Sequence, residues 1–305
     1  MTTQIDELAD GLIRLRAPNA GPMTFSGTNS YLIGRGSGSK LALIDPGPEI
    51  TSPAGKLHFN AILGALHAHE RISHIFVTHA HRDHSPLARP LAEATGAEIF
   101  AFGNAKAGRS ATMRMLATQA DHIDIGGGEG VDHAFEPDVV MADGAHIASD
   151  GWGLTALHTP GHFCNHLCFA WNGAIFSGDH VMGWSSTLIS PPDGDLADYY
   201  SSLDKIEALS PVILYPGHGD PVDAPVALIR KQRAHRETRT RQILAALQDG
   251  PATAELLAKR LYAEIPPQIL AAATRNTLAH LIDLALKNKI SHQKPLHLLT
   301  EFQLT

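Results

Sequence analysis

The stretch "ISHIFVTHAHRDHSPL", residues 72–87, constrains this chain more than any other. Ile75, Phe76, Val77 and Thr78 make an apolar and β-branched run suited to a buried strand. The run passes directly into His79, His81, Asp83 and His84. A chain that only had to turn would use Gly, Asn or Pro at such a place. Three imidazoles and a carboxylate packed at a strand end point to metal ligation, provided that the rest of the chain supplies the missing donors.

Four further apolar runs end in the same way. They are "LALIDPG" with Asp45, "LTALHTPGH" with His162, "AIFSGDH" with Asp179 and "VILYPGHG" with His218. If these runs are strands, their carboxyl ends can converge on one edge. Gly161, Gly178 and Gly217 stand directly before three of the candidates, where glycine permits sharp turns that aim the next side chain. The donor set is then His79, His81, His84, His162 and His218 with Asp83 and Asp179. Imidazole and carboxylate without thiolate suit zinc, with iron or manganese also open. Seven donors exceed the needs of one tetrahedral ion. They match two ions that share a bridging carboxylate and a bridging hydroxide. The expected chemistry is that of a dinuclear metal-dependent hydrolase, in which a metal-bound hydroxide attacks a carbonyl or phosphoryl centre. Asp83 would orient that nucleophile, and no Ser or Cys nucleophile is needed.

The 305 residues, 44% hydrophobic and 18% charged, fit one large globular domain with a smaller one beside it. Through residue 222 short apolar runs alternate with helical stretches, an α/β pattern. "TNSYLIG", "KLALID", "HIFVTH", "AEIFAF", "LTALH", "LCFAW", "AIFSG" and "VILYP" read as strands. "PAGKLHFNAILGALHAHE" and "DLADYYSSLDKIEAL" read as helices, and Ser85-Pro86 opens another. Residues 104–137 show no clear period and read as a loop region holding one short helix. Residues 223–305 read as three helices and a small hairpin, "KISHQKPLHLLT", together a winged-helix-like module. Its first helix runs to Gly250, its second starts with Thr253 as cap, and its third begins at "PPQIL".

All five motifs, in this order from Asp45 to His218, resemble the signature of the metallo-β-lactamase superfamily. The resemblance implies a four-layer αβ/βα sandwich with the metal site at one edge. Carried over by motif, it implies that His79, His81 and His162 hold one ion. Asp83, His84 and His218 hold the second, Asp179 bridges, and Asp45 supports the site without binding metal. With the C-terminal module, "TNSYLIG", "THAHRDHS", "TPGH", "IFSGDHVMG" and "YPGHGDPV" are similar to the small β-lactamase-like hydrolases that include a mitochondrial single-strand endoribonuclease. That likeness implies a phosphodiester in single-stranded RNA as substrate. The alternative is a thioester or lactone, as for hydroxyacylglutathione hydrolases.

Charge is uneven. Residues 1–228 hold 12 Lys+Arg and 25 Asp+Glu, a net of −13, and residues 229–305 hold 12 and 6, a net of +6. The helix at 230–241 concentrates Arg230, Lys231, Arg233, Arg236, Arg239 and Arg241. It is either a phosphate-contacting surface or a face that pairs with the acidic first domain. The module can also serve in packing or as the contact of a homodimer. His166, in "FCNH", is a candidate catalytic side chain at the substrate or a buried, hydrogen-bonded histidine. Asn29 and Tyr31 are candidates to line the pocket, Asn29 alternatively to cap a turn. Cys164 and Cys168 are too few for a disulfide scaffold and read as packing residues of a reducing cytoplasm. "MTTQIDELADGLIRLRAP" has no apolar core of a secretory signal, and no membrane-spanning run is expected.

Overall fold

A computed structural model describes residues 2–120, 124–264, 266 and 269–305. The first sheet runs in spatial order through β1 (Gln4–Ala9), β2 (Leu12–Arg16), β3 (Asn29–Ile33), β4 (Lys40–Ile44), β5 (Arg71–Phe76), β6 (Glu98–Ala101) and β7 (Val139–Val140). Its first four strands are antiparallel; β4 to β7 are parallel. Parallel neighbours need crossovers, supplied by α1 (Pro53–Gly64), α2 (Ala88–Thr95) and α3 (Ala111–Ala120). The second sheet contains β8 (His146–Ser149), β9 (Trp152–His158), β10 (Leu167–Trp171), β11 (Ala174–Gly178) and β12 (Ile213–Pro216). There α4 (Leu196–Ala208) links the parallel pair β11 and β12.

Leu12, Ile33, Ile44, Phe76, Trp152, Leu154, Phe169 and Phe176 fill the space between the sheets. Ile62 of α1 and Leu91 of α2 pack on the outer face of the first sheet, and Leu203 and Ile206 of α4 on that of the second. The result is the four-layer αβ/βα sandwich. Because both faces of β4 are covered, that strand is an apolar run after Lys40, whereas β5 buries Ile72, Ile75 and Phe76 and leaves Arg71 exposed.

The C-terminal part comprises α5 (Pro225–Ala246), β13 (Ala252–Thr253), α6 (Ala254–Leu261), α7 (Leu270–Leu286), β14 (Ile290–His292) and β15 (Glu301–Leu304). The strands form a small sheet in the order β13-β15-β14. Thr253 caps α6, its hydroxyl accepting from Leu256 N at 3.2 Å. Ile243, Leu257, Leu281 and Phe302 form its core, joined by Met113 and Leu116 of α3. One turn of α5 belongs elsewhere: Ile229 packs with Leu203 and Ile206 against the second sheet.

Several expectations need correcting. The helix from residue 53 stops at Gly64, and β5 starts at Arg71, three residues before the expected strand "HIFVTH". The β1–β2 hairpin turns at Asp10-Gly11, an Asp-Gly signal that goes unread when exposed β1 shows so little apolar character. The 104–137 region does hold one helix, α3; residues 121–123 lie outside the described residues. The ends of the second and third C-terminal helices, at Ile265, Pro267 and Gln268, lie outside them as well. The hairpin returns along Glu301–Leu304, beyond the expected segment. No described helix is long and apolar enough to cross a membrane.

Candidate metal centre

Strand ends bring the donors together. Asp45 follows β4, the His79–His84 run follows β5, His162 follows β9, Asp179 follows β11 and His218 follows β12. Gly161 adopts φ +142°, and a Cβ there would run into the Tyr199 backbone. Gly217 is needed for a different reason than turning: a Cβ there would collide with Asp179 Oδ1 and approach His84 Cε1 to 2.8 Å. Close approach of β12 to the donors, rather than a left-handed backbone, fixes glycine at that position.

Two groups of donors result, each with ligand atoms within 4.8 Å of one another: His79, His81, His162 and Asp179, and Asp83, His84 and His218. Asp179 lies between them. Its carboxylate is 3.8 Å from His162 Nε2, 3.5 Å from His84 Nε2 and 3.4 Å from His218 Nε2. Outer partners fix the tautomers. His162 Nδ1 lies 2.6 Å from Leu188 O, and His218 Nδ1 lies 3.2 Å from Gly27 O. A carbonyl only accepts, so both Nδ1 atoms carry a proton and both Nε2 atoms face the centre, where they are the atoms available to a metal. Asp45 does the same for His84 Nδ1 at 2.9 Å, while accepting from Thr78 N and Thr78 Oγ1 at 2.7 and 2.8 Å.

The inward atoms crowd. His79 Nε2 is 2.9 Å from His81 Nδ1, His81 Nδ1 is 3.2 Å from His162 Nε2, and His84 Nε2 is 3.3 Å from His218 Nε2. Such nitrogens repel unless a proton or a cation lies between them. Burial keeps His79 and His162 below the ordinary imidazole range and His81 at about 3. Burial also opposes charge on His84 and His218, but the carboxylates of Asp83 and Asp179 outweigh it. His84 is held well above its ordinary value and His218 is raised to about 10. Two carboxylates, Asp179 buried and Asp83 partly so, thus demand positive charge at this spot, and among the described residues Asp179 Oδ1 has no hydrogen-bond partner. The donor chemistry fits divalent ions.

Known proteins agree with this geometry. Residues 23–218 match the family model of the metallo-beta-lactamase superfamily. The chain belongs to the metallo-β-lactamase superfamily. Residues 253–295 match the beta-lactamase associated winged helix domain. The chain is similar to a beta-lactamase-like protein 2 homologue of Drosophila melanogaster, 31% identical over 95% of this chain and 93% of the other. It is also similar to an atrochrysone carboxyl ACP thioesterase of Aspergillus fumigatus, 27% identical over 87% and 78%. A crystallised metallo-β-lactamase family protein of Thermus thermophilus superimposes with TM-score 0.78 at 25% identity, over 98% of this chain and all of that one. The protein is a metal-dependent hydrolase of this superfamily.

Beside the donors this superfamily hydrolase has a cavity of about 200 Å³ between its two parts. His162 and Asp179 form its floor. Met23, Met182, Trp184 and Leu188 wall it from one side, and Tyr262, Ile269 and Ala273 from the other. Phe25 stacks on Trp184, ring centroids 4.9 Å apart. Of these wall residues only Met182 lies within a quoted motif, and the two sides of the wall meet only through docking of the C-terminal part.

Other candidates fall outside the cavity wall. His166 is fully buried behind His79, its Nδ1 3.0 Å from Thr159 Oγ1, so the buried reading describes its place. Asn29 Nδ2 donates to Pro216 O and Gly219 O, and Tyr31 Oη to Pro216 O, so both brace the turn that carries His218. Cys164 and Cys168 are buried free thiols, and burial pushes both up to about 12. Along α5, Arg230 pairs with Glu207 and Arg233 with Asp204, Arg236 is buried, and Arg239 sits over Tyr262. Four arginines of the basic helix are thus engaged within the chain.

Proposed function

We propose that the protein hydrolyses a small apolar acyl substrate, a thioester or a lactone, at a centre of two ions, zinc by its donor set. The observation that carries this reading is the apolar cavity opening on His162 and Asp179. Its walls of Met, Leu, Ile, Trp and Tyr suit an acyl chain, with about 25 cal/mol gained per Å² of apolar surface buried. Among the described lining residues Arg236 is the one permanently charged cation, and its guanidinium is already committed to Thr187 O and Asn276. A polyanion finds little there to neutralise its phosphates.

Bound divalent ions would supply an acidified water near neutral pH and polarise the substrate carbonyl. The chain contributes the rest. Asp83, whose side chain is 26% exposed against 9% for Asp179, is the more accessible of the two donor carboxylates and would orient the attacking water and take its proton. Thr28 Oγ1, donating to Asp83 Oδ2 at 3.1 Å, holds that carboxylate in place. The water oxygen joins the acyl carbon, the carbon–sulfur or ring carbon–oxygen bond breaks, and the proton passes to the leaving thiolate or alkoxide. Trp184 and its neighbours exclude bulk water from the acyl group.

Cleavage of single-stranded RNA is the second reading. The Phe25–Trp184 stack at the cavity favours it, because aromatic faces bind unstacked bases. A panel assay of the zinc-loaded protein on acyl thioesters of graded length, a lactone and single-stranded RNA separates the two. The acyl reading expects kcat/KM to rise with acyl size and to fall on Trp184→Ala. Turnover of RNA alone, with every thioester and lactone inert, would overturn it.

A further inference from the structure

We propose that the C-terminal module completes the metal centre, with Arg236 and Asn276 acting as positioning residues for His162. The proposal rests on the metal reading of the site and is independent of the substrate class. The link is an irregular strap, residues 182–191, that follows Asp179. Its Leu188 carbonyl receives His162 Nδ1 at 2.6 Å. Its Thr187 Oγ1 lies 3.0 Å from the same nitrogen and donates to Asp179 O at 2.6 Å. The strap therefore orients one candidate ligand and anchors the backbone of another.

The strap does not hold itself. Among the described residues, 182–189 make no backbone-to-backbone hydrogen bond. Buried backbone groups need partners, and side chains of α5 and α7 supply them. Gln232 Nε2 donates to Met182 O at 2.8 Å, and one helical turn on, Arg236 Nη2 donates to Thr187 O. Asn276 Oδ1 accepts from Ile189 N at 3.0 Å and from Arg236 Nη1 at 2.9 Å, tying the two helices together at the strap. Arg275 Nε donates to Ser190 Oγ at 2.9 Å. Arg236 is 2% exposed, an arginine placed inside the protein with Nη2 on this segment and Nη1 on Asn276. If Thr187 O loses its donor, the strap can retreat. A movement of about 1 Å takes Leu188 O out of hydrogen-bond range of His162. The imidazole is then free to rotate its Nε2 away, although ligand distances must hold to about 0.2 Å.

The test measures zinc affinity by chelator competition, together with the visible spectrum of the cobalt-loaded protein, for wild type, R236M, N276A and R233Q. Losing a partner that orients a ligating histidine costs roughly 10–100-fold in metal affinity. R236M and N276A should therefore weaken the ion at His79, His81 and His162 at least about 10-fold and shift the cobalt bands. Arg233 anchors the same helix to Asp204 but does not touch the strap. R233Q should lower the melting temperature while leaving both affinities and the spectrum unchanged. Should R236M fail to fold, N276A, which keeps the buried charge, reads out the same link. Wild-type affinities in a folded R236M or N276A overturn the proposal. So does an R233Q that loses metal as strongly, since affinity would then follow global stability. A wild-type protein that takes up no zinc removes the metal reading and this proposal with it.

Discussion

Replacing Asp45 by Asn keeps the side chain's shape and removes one of its two accepting oxygens. Oδ1 receives Thr78 N, and Oδ2 receives Thr78 Oγ1 and His84 Nδ1. The amide oxygen of D45N keeps the backbone bond, which turns its NH₂ toward His84 Nδ1. Two donors cannot face each other, so the imidazole must move its proton to Nε2 or swing away. Nε2 is the atom that lies 3.2 Å from Asp83 Oδ2 and 3.3 Å from His218 Nε2. Carrying a proton, it cannot ligate. Altered support of a ligating imidazole costs about 10–100-fold in affinity, or about 1.4–2.7 kcal/mol. The lost charge-assisted hydrogen bond destabilises the metal-free fold by about 1.5–3 kcal/mol. Zinc titration against a competing chelator should show one ion weakened by that factor and the other near wild type. Thermal melting of the metal-free protein should show the second effect. D45N that binds both ions with wild-type affinity would refute the tautomer argument.

Asp179→Ala should loosen both ions, because its carboxylate reaches both donor groups; two tightly held ions in an inactive variant would argue against that placement. Gly217→Ala should cost metal binding through the collision at Asp179 and His84, read by the metal content of the purified protein. Neutralising Arg230 and Arg233 together should remove about 0.2–1 kcal/mol per exposed ion pair and leave the salt dependence of any RNA binding alone; a flattened salt slope would restore a phosphate-binding helix. Burial lowers His58 to about 3, and burial with the Arg236 charge lowers His280 to about 3. Their unfolded pKa is about 6.5, so the unfolded chain gains protons first. Stability from these two groups is complete above pH ~6.5 and is lost as pH falls toward ~3. Denaturant melts of His58→Gln and His280→Gln across that window should show a shallower acid limb, and an unchanged limb would contradict the assignment.

The metal centre was legible because ligation compresses its donors into short motifs. The HxHxDH run and the glycines before His162, Asp179 and His218 answer to contacts made within a few residues or at a strand's end. The apolar cavity and the strap were not, because they depend on how α5 and α7 dock. The buried positions of α5 are Pro225, Ile229, Gln232, Arg236 and Ile243, a stripe at helical spacing. It becomes visible only if Gln and Arg are admitted as interior residues, which hydrophobic periodicity does not do. The six cations of that helix therefore read as one surface, whereas the fold turns Arg236 inward and spends Arg233 on Asp204. The β1–β2 hairpin escaped for a similar reason. The exposed edge strand "QIDELA" has no apolar face strong enough to be seen, although its Asp10-Gly11 turn is explicit.

Anomalous diffraction from zinc-loaded crystals tests the two-ion centre most directly. Two peaks about 3.5–4 Å apart are expected, as in other two-metal sites. One should face His79, His81 and His162, the other Asp83, His84 and His218, with Asp179 reaching both. A single peak, or zinc bound away from these residues, would contradict it.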